Sequence, residues 1–421
     1  MREKNRRRLA MVLALLMLAC LLLGACGRRA PKARYRVVLA TDLHYLAPSL
    51  TDHGPVFRRM MENSDGKATE YCDEITEAFL EQVLELRPEA LILTGDLSFN
   101  GERESHLALA EKLSAVEAAG IPVLVLPGNH DLYRSQTYSY FGDNAEPVPN
   151  ISAEEFREIY APFGFDEALA ADPDSLSYTA RLNDSTRVLM LDANTLHDFC
   201  GFSDATLTWV EEQLRQARDA GEAVLVCCHQ NLFRHSLFDM GYVLNKAERL
   251  YALLEDYGVP LFLSGHMHIQ HRLTRGGVTE IATSSLTMGA CQYALVEAAE
   301  GQIRYETRRT PVSAWAAARG RTEQELLDFE TYAADSMNRR FRSQAEEQLR
   351  AAGLSGAELQ ELTDFACALN LAYFSGDLTG IPALDPEGRL LARLTESGGF
   401  LGSYIASMGE EIGRDHSRWK S

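Results

Sequence analysis

The chain has 421 residues and a hydrophobic fraction of 46%, enough for one large domain plus a smaller one and too much for general disorder. Its formal net charge of -19 excludes a broad basic face for nucleic-acid backbones or anionic membranes, so no nucleic-acid polymer is expected as a partner. The eight cysteines show neither metal-type spacing nor a disulfide framework. The adjacent Cys227 and Cys228 read as small core residues in an apolar strand.

Residues 1–26 read as a leader. Arg2, Lys4, Arg6, Arg7 and Arg8 form a basic stretch. Leu9 to Leu23 is an apolar run, shorter than the ~20 residues of a spanning helix, and Leu23-Gly24-Ala25-Cys26 follows it. This is the pattern of a signal peptide, and the tetrapeptide resembles the bacterial lipobox. The resemblance implies cleavage before Cys26 and lipid on its sulfur, hence an exported protein anchored to the outer face of a membrane. Retention of the run as an uncleaved anchor is the other reading. Residues 27–34 are a basic tether.

Tyr35 to Ala40 predicts a first strand, ending at Thr41-Asp42-Leu43-His44. In extended chain Asp42 and His44 share a face, because side chains alternate with period two. Residues 45–69 read as a loop. Glu70 to Leu86 has apolar Ile75, Phe79, Val83 and Leu86 at helical spacing, and Pro88 stops it. Ala90 to Leu93 predicts a second strand, ending at Thr94-Gly95-Asp96-Leu97-Ser98. Glu104 to Ala119 is a helix closed by Gly120. Val123 to Leu126 is a third strand, leaving through Pro127-Gly128-Asn129-His130-Asp131. This βαβαβ order predicts a parallel layer with crossover helices, whose sites lie at the carboxyl ends of the strands.

Residues 132–175 read as an insertion over the site, with one helical piece near 153–160. Ser177 to Leu182 and Arg187 to Leu191 form a hairpin. Ser203 caps a helix that Gly221 ends. Ala223 to Cys228 is a strand ending at His229. Asn245 to Tyr257 is a helix, and Pro260 to Leu263 a strand ending at Ser264-Gly265-His266-Met267-His268. Strands at 269–274, 278–283, 292–297 and 302–308 then follow one another and predict a second sheet packed on the first. After about residue 315 the apolar spacing becomes helical, first from Leu326 to Leu349 on one long helix, then over 359–374, 388–396 and 399–412. The expected division is 35–315 for an α/β domain and 316–421 for a small all-α domain. Arg339, Arg340 and Arg342 read as a solvated helix face.

Asp42, His44, Asp96, Asn129, His229, His266 and His268 each follow a strand. Carboxylates, an amide and imidazoles without thiolate suit hard or borderline divalent ions such as Mn²⁺, Fe or Zn²⁺. Two ions can clamp an in-line displacement at phosphorus. Asp-x-His, Gly-Asp, Gly-Asn-His-Asp, a lone His after a strand and Gly-His-x-His occur here in the order of the calcineurin-like metallophosphoesterases, which this chain resembles from residue 36 to about 310. The resemblance implies a four-layer β-sandwich flanked by helices, with a dinuclear site. One ion would be held by Asp42, His44 and His268, the other by Asn129, His229 and His266, with Asp96 bridging. A hydroxide between the ions would attack phosphorus in line. His130, with Asn129 beside it, would bind the phosphate and protonate the leaving alkoxide, and Asp131 would orient His130. His235 could line the substrate side. His53, His106, His197, His271 and His416 read as ordinary core or surface histidines.

Three departures narrow the resemblance. The segment after Gly95-Asp96 lacks the arginine of protein Ser/Thr phosphatases. Phe99 stands where purple acid phosphatases have an iron-binding tyrosine. Asp131 replaces the glutamate usual in 5′-nucleotidases. Gly95-Asp96-Leu97-Ser98 with Gly101, Gly128-Asn129-His130-Asp131 and Gly265-His266-Met267-His268 resemble the class III cyclic-nucleotide phosphodiesterases. The lipobox and helical C-terminal domain look like their exported branch in Gram-positive bacteria. The expected activity is hydrolysis of a phosphodiester, a cyclic nucleotide in the first instance. Rival expectations are an esterase for another extracellular nucleotide or envelope phosphoester, and a non-catalytic metal-containing surface lipoprotein.

Overall fold

The computed structural model describes residues 33–62, 64–196, 200–238 and 241–421. The leader with Cys26, most of the tether and His197 lie outside the described residues. The strands are β1 (Tyr35–Ala40), β2 (Ala90–Thr94), β3 (Val123–Leu126), β4 (Tyr138–Phe141), β5 (Asn144–Pro147), β6 (Ala170–Ala171), β7 (Tyr178–Asn183), β8 (Thr186–Leu191), β9 (Ala223–Cys228), β10 (Leu261–Ser264), β11 (His271–Arg275), β12 (Val278–Ala282), β13 (Gln292–Ala299), β14 (Gln302–Arg309) and β15 (Arg418–Lys420).

Two mixed sheets result, one in the order β15-β14-β13-β1-β2-β3 and the other β11-β12-β10-β9-β8-β7-β6. β1, β2 and β3 are parallel, as are β8, β9, β10 and β12. Parallel strands buried on both faces read as unbroken apolar runs, which is how the sequence betrayed them. Val37, Leu39, Ile92, Leu124 and Leu126 face Val188, Met190, Leu225, Cys227 and Leu263 across the space between the sheets. On the outer side of the first sheet, Val38, Leu91, Leu93, Val123 and Val125 pack on Ile75, Phe79 and Val83 of helix Cys72–Leu86 and on Leu109, Leu113 and Val116 of helix Arg103–Ala118. Outside the second sheet, Leu189, Leu191, Val226 and Phe262 meet helices Asp204–Ala220 and Ala247–Asp256. The expected helix-sheet-sheet-helix sandwich is therefore present, followed by a helical C-terminal region. The six described cysteines are buried.

The structure departs from the sequence reading in four places. β13 and β14 do not join the second sheet: β13 pairs antiparallel with β1 and closes the first. Helix Pro55–Glu62 interrupts the stretch read as a loop. Asp328, at φ -124 and ψ 51, breaks the long C-terminal helix into Gln324–Leu327 and Phe329–Ala351. The chain finally leaves the helical region and returns as β15 against β14.

Tyr178 ties the two sheets together. It is fully buried, and its hydroxyl donates to the Val125 carbonyl at 2.9 Å. Gly164, at φ +106, comes so close that an added Cβ would lie 2.5 Å from that hydroxyl oxygen. Tyr178→Phe, which strands the Val125 carbonyl, is expected to cost about 1–2 kcal/mol. Gly164→Ala adds backbone strain and overpacking and is expected to cost about 2–4 kcal/mol. Urea unfolding of both variants checks the order, and a Gly164→Ala protein as stable as the parent would contradict the close approach.

Candidate functional site

Five strand ends deliver the site. Asp42 and His44 follow β1, Asp96 follows β2, Asn129 follows β3, His229 follows β9, and His266 and His268 follow β10. Neighbouring strand ends are stitched by backbone bonds: Asp42 N–H to Gly95 O, His44 N–H to Asp96 O and Gly265 N–H to His229 O, each 3.0 Å. All seven residues converge into two groups. In the first, His268 Nε2 lies 3.1 Å from His44 Nε2 and 3.2 Å from Asp42 Oδ1. In the second, His229 Nε2 lies 3.1 Å from Asn129 Oδ1 and 3.2 Å from His266 Nδ1. Asp96 Oδ2, 3.7 Å from His44 Nε2 and 3.3 Å from His229 Nε2, belongs to both.

The surroundings aim these atoms. Asp42 Oδ2 accepts from the Thr41 hydroxyl at 2.7 Å and from His266 N–H at 3.0 Å, so Oδ1 turns inward. Asp96 Oδ1 accepts from His130 N–H at 2.8 Å, which leaves Oδ2 for the site. His229 Nδ1 donates to the Thr94 carbonyl at 2.8 Å, which turns Nε2 into the site. Gly128 and Gly265 keep the space open, since a Cβ would run into Asp96 on one side and Thr41 on the other.

Burial raises the Asp42 and Asp96 carboxyls, but the adjacent imidazoles outweigh it and both end below the ordinary carboxylate value, Asp96 well below. Burial pulls His229 down, yet Asp96 and Asp42 raise it to about 9. His266 is pushed down to about 3 by burial and by His229. The pocket thus calls for positive charge beside two carboxylates. Asp42 Oδ1 is buried with no hydrogen-bond partner. A set of two carboxylates, one amide oxygen and four imidazoles fits a pair of divalent ions, and the groups Asp42, His44, Asp96, His268 and Asp96, His229, His266 each place their ligand atoms within 4.8 Å of one another.

Two expected roles do not match the geometry. The Asp131 carboxylate accepts from the N–H groups of Leu97, Ser98 and Gly128 and from the Ser98 hydroxyl. It braces the loop and does not hold the His130 ring. That task falls to the Phe99 carbonyl and Asn100 Oδ1, 3.1 and 2.9 Å from His130 Nδ1. His235 does not line a substrate space either: it is buried between His271 and Glu280, because the segment after β9 folds inward against the Glu280 carboxylate.

Asn100 and Lys67 were missed. Asn100 lay inside a motif read only for an absent arginine or tyrosine. Lys67 sits in a stretch with no periodicity. It is buried, pairs with Asp65, and lowers His44 and His130 together with their burial. Lys67, Met60, Phe99, Asn100, His130 and Tyr140 line a cleft of about 540 Å³. Arg340, read as solvated, lines a neighbouring cavity with Asp65 and Met288, and Arg342 pairs with Asp364 at 2.7 Å.

Residues 35–270 match the family described as calcineurin-like phosphoesterase, and the chain belongs to that family. Residues 311–415 match the C-terminal domain of cyclic nucleotide phosphodiesterase. A 3′,5′-cyclic-nucleotide phosphodiesterase of Nostoc is 24% identical over 217 residues, which are 50% of this chain and 69% of that protein. A glycerophosphodiester phosphodiesterase of Enterobacter lignolyticus is 28% identical over 142 residues, 33% of this chain, and the match spans only 41% of that relative's length. Among solved structures, a dimetal phosphatase from Danio rerio aligns over 66% of this chain and 96% of its own, at 16% identity and a TM-score of 0.48.

Glu102 holds the Asn100 turn by accepting from Asn100 N–H at 2.9 Å. Burial pushes its carboxyl up to about 7 against that bond. A carboxyl raised in the folded state contributes stability below its unfolded pKa and loses it as pH rises through the folded value. Glu102→Gln is therefore expected to stabilise the protein at pH 8, by roughly 3 kcal/mol at about 1.4 kcal/mol per pKa unit, and to leave it unchanged near pH 4.5. Thermal melts across that range check the sign.

Proposed function

We propose that the chain is a metal-dependent phosphodiesterase acting on a small phosphodiester, a cyclic nucleotide in the first instance. The observation that carries this reading is Asp96 Oδ2, shared by two ligand groups. On this reading Asp42, His44 and His268 would hold one ion, Asn129, His229 and His266 would hold the other, and Asp96 would be shared between them. Two such ions, Mn²⁺, Fe or Zn²⁺, stabilise charge on phosphoryl oxygens and lower the pKa of water when bound.

The chain's own residues do the rest. His130 carries its proton on Nδ1, held between the Phe99 carbonyl and Asn100 Oδ1. Burial lowers its pKa, so Nε2 is a bare acceptor at rest. A leaving alkoxide can take a proton from Nε2 once that nitrogen has been protonated, and the negative charge of a bound phosphoester favours that uptake. The cleft beside His130 offers Val56, Met60, Phe99 and Tyr140 to the organic part of a substrate and Lys67 to its charge.

The matched C-terminal domain and the name of the Nostoc relative support a cyclic nucleotide. The name of the Enterobacter relative supports a glycerophosphodiester as the second reading. The leader pattern supports export and lipid attachment at Cys26, which makes the membrane a partner through the anchor alone.

The test uses the full chain with added Mn²⁺, comparing bis-p-nitrophenyl phosphate with p-nitrophenyl phosphate. Faster diester hydrolysis is expected, with a loss of about 10²-fold or more in Asp96→Asn. A panel of 3′,5′- and 2′,3′-cyclic AMP and a glycerophosphodiester then sorts the substrates. Preference for the monoester would make the protein a phosphatase, and no turnover across several metals would leave a binding lipoprotein. His130→Ala is expected to slow a cyclic nucleotide, whose leaving group is an alkoxide, by about 10²-fold. It should slow bis-p-nitrophenyl phosphate far less, because p-nitrophenolate leaves without a proton. Equal losses on both substrates would remove the acid role.

A further inference from the structure

A third group of ligand-type side chains converges away from this centre. His271 opens β11, while Glu411 and His416 lie in the segment between helix Gly399–Gly409 and β15. His416 Nε2 is 2.9 Å and His271 Nε2 is 3.6 Å from Glu411 Oε2, and the three ligand atoms lie within 4.8 Å of one another. The two rings are stacked with centroids 4.2 Å apart. Each histidine is 4% exposed, so the group is built into the fold.

Behind His271 lies a second buried pair, His235 and Glu280. Glu280 is buried and accepts from Leu232 N–H, Phe233 N–H and the Ser264 hydroxyl. His235 Nε2 lies 3.0 Å from Glu280 Oε2 without a hydrogen bond between them, and His235 Nδ1 lies 3.0 Å from His271 Nδ1. With the His271 proton on Nδ1, shared with His235, its Nε2 is bare. This buried nitrogen has no hydrogen-bond partner, and it faces the Glu411 carboxylate across 3.6 Å. A lone pair against a carboxylate is repulsive unless a cation lies between them.

We propose that His271, Glu411 and His416 bind a third divalent ion, a borderline cation such as Zn²⁺, that clasps the C-terminal segment to the second sheet. The 2.9 and 3.6 Å separations bracket the ~3.3 Å edge of a tetrahedron with ~2.0–2.1 Å bonds. Ligation through His416 Nε2 moves that ring's proton to Nδ1 and gives up the long 3.3 Å bond from Arg272 N–H. Arg414 pairs with both Glu411 oxygens at 3.0 and 3.1 Å from an exposed position. The clasp is separate from the catalytic reading and does not depend on it.

The test counts ions. The full chain is stripped with a chelator, equilibrated against buffered micromolar free Zn²⁺ and analysed by inductively coupled plasma mass spectrometry. His416→Gln is expected to hold one ion fewer than the parent, three falling to two where the first centre fills. The triple variant Asp42→Asn, Asp96→Asn and His229→Gln, which removes the shared carboxylate and a ligand from each half of the first centre, should still hold one ion. In that triple variant Zn²⁺ should raise the melting temperature, and adding His416→Gln should abolish the rise. Equal stoichiometry in the parent and His416→Gln would overturn the proposal. If His416→Gln fails to fold, the triple variant decides: no retained ion, or no Zn²⁺-dependent shift, refutes the clasp.

Discussion

Two carboxylates govern this structure. Asp42 and Asp96 are 0% and 1% exposed, at the ends of adjacent parallel strands. A carboxylate taken out of water costs several kcal/mol unless it is paired and hydrogen-bonded. One oxygen of each is satisfied by neighbouring donors, and the other is left facing imidazoles. The backbone is bent to achieve this. Asp42, His44, Asp96, His266 and His268 have φ values of 53, 43, 48, 70 and 58, in the left-handed region that costs a residue with a Cβ roughly 1–2 kcal/mol. Such strain persists only where the surroundings over-determine the conformation. Here the surroundings are the inter-sheet core and the backbone bonds that stitch one strand end to the next.

The loop after β3 shows the same economy. Asp131 stands beside His130 in sequence, and a carboxylate next to an imidazole invites the idea of a dyad. Its four donors come instead from the turns at Leu97–Ser98 and Gly128, so it fastens one site loop to another. His130 is oriented by Asn100, and the Asn100 turn is held by Glu102. The chemistry of the imidazole therefore depends on a buried acid that touches neither the ring nor the ligand groups.

What the sequence disclosed follows from locality. Buried parallel strands announce themselves as short apolar runs, and the residues just past each run are the ones the sheet brings together. All seven ligand-type residues were legible for that reason. Sheet partners were not: β13 pairs with β1 across more than two hundred residues, and nothing in its own pattern distinguishes that partner from β12. Lys67 lies in a segment without periodicity, and its place beside His130 is a tertiary fact. His271 and His416 looked ordinary because each was read alone, whereas their meeting depends on the chain's return to β14.

That return changes how the helical region is understood. Its core contains Leu359, Leu362, Phe365 and Leu401, but also Ile269, with Met267 packed against it. Those last two residues flank His268 on the loop after β10. Gln270 N–H bonds to Phe374 O, and the Gln270 amide donates to His416 O at 3.0 Å while its oxygen accepts from Tyr305. The loop carrying His266 and His268 thus has one side in the second sheet and the other in the helical core. A ligand-type histidine whose backbone sits in the left-handed region needs such a double grip. The helices serve as the outer wall of the centre, so loosening them should act on the position of His268 before it acts on the sheets.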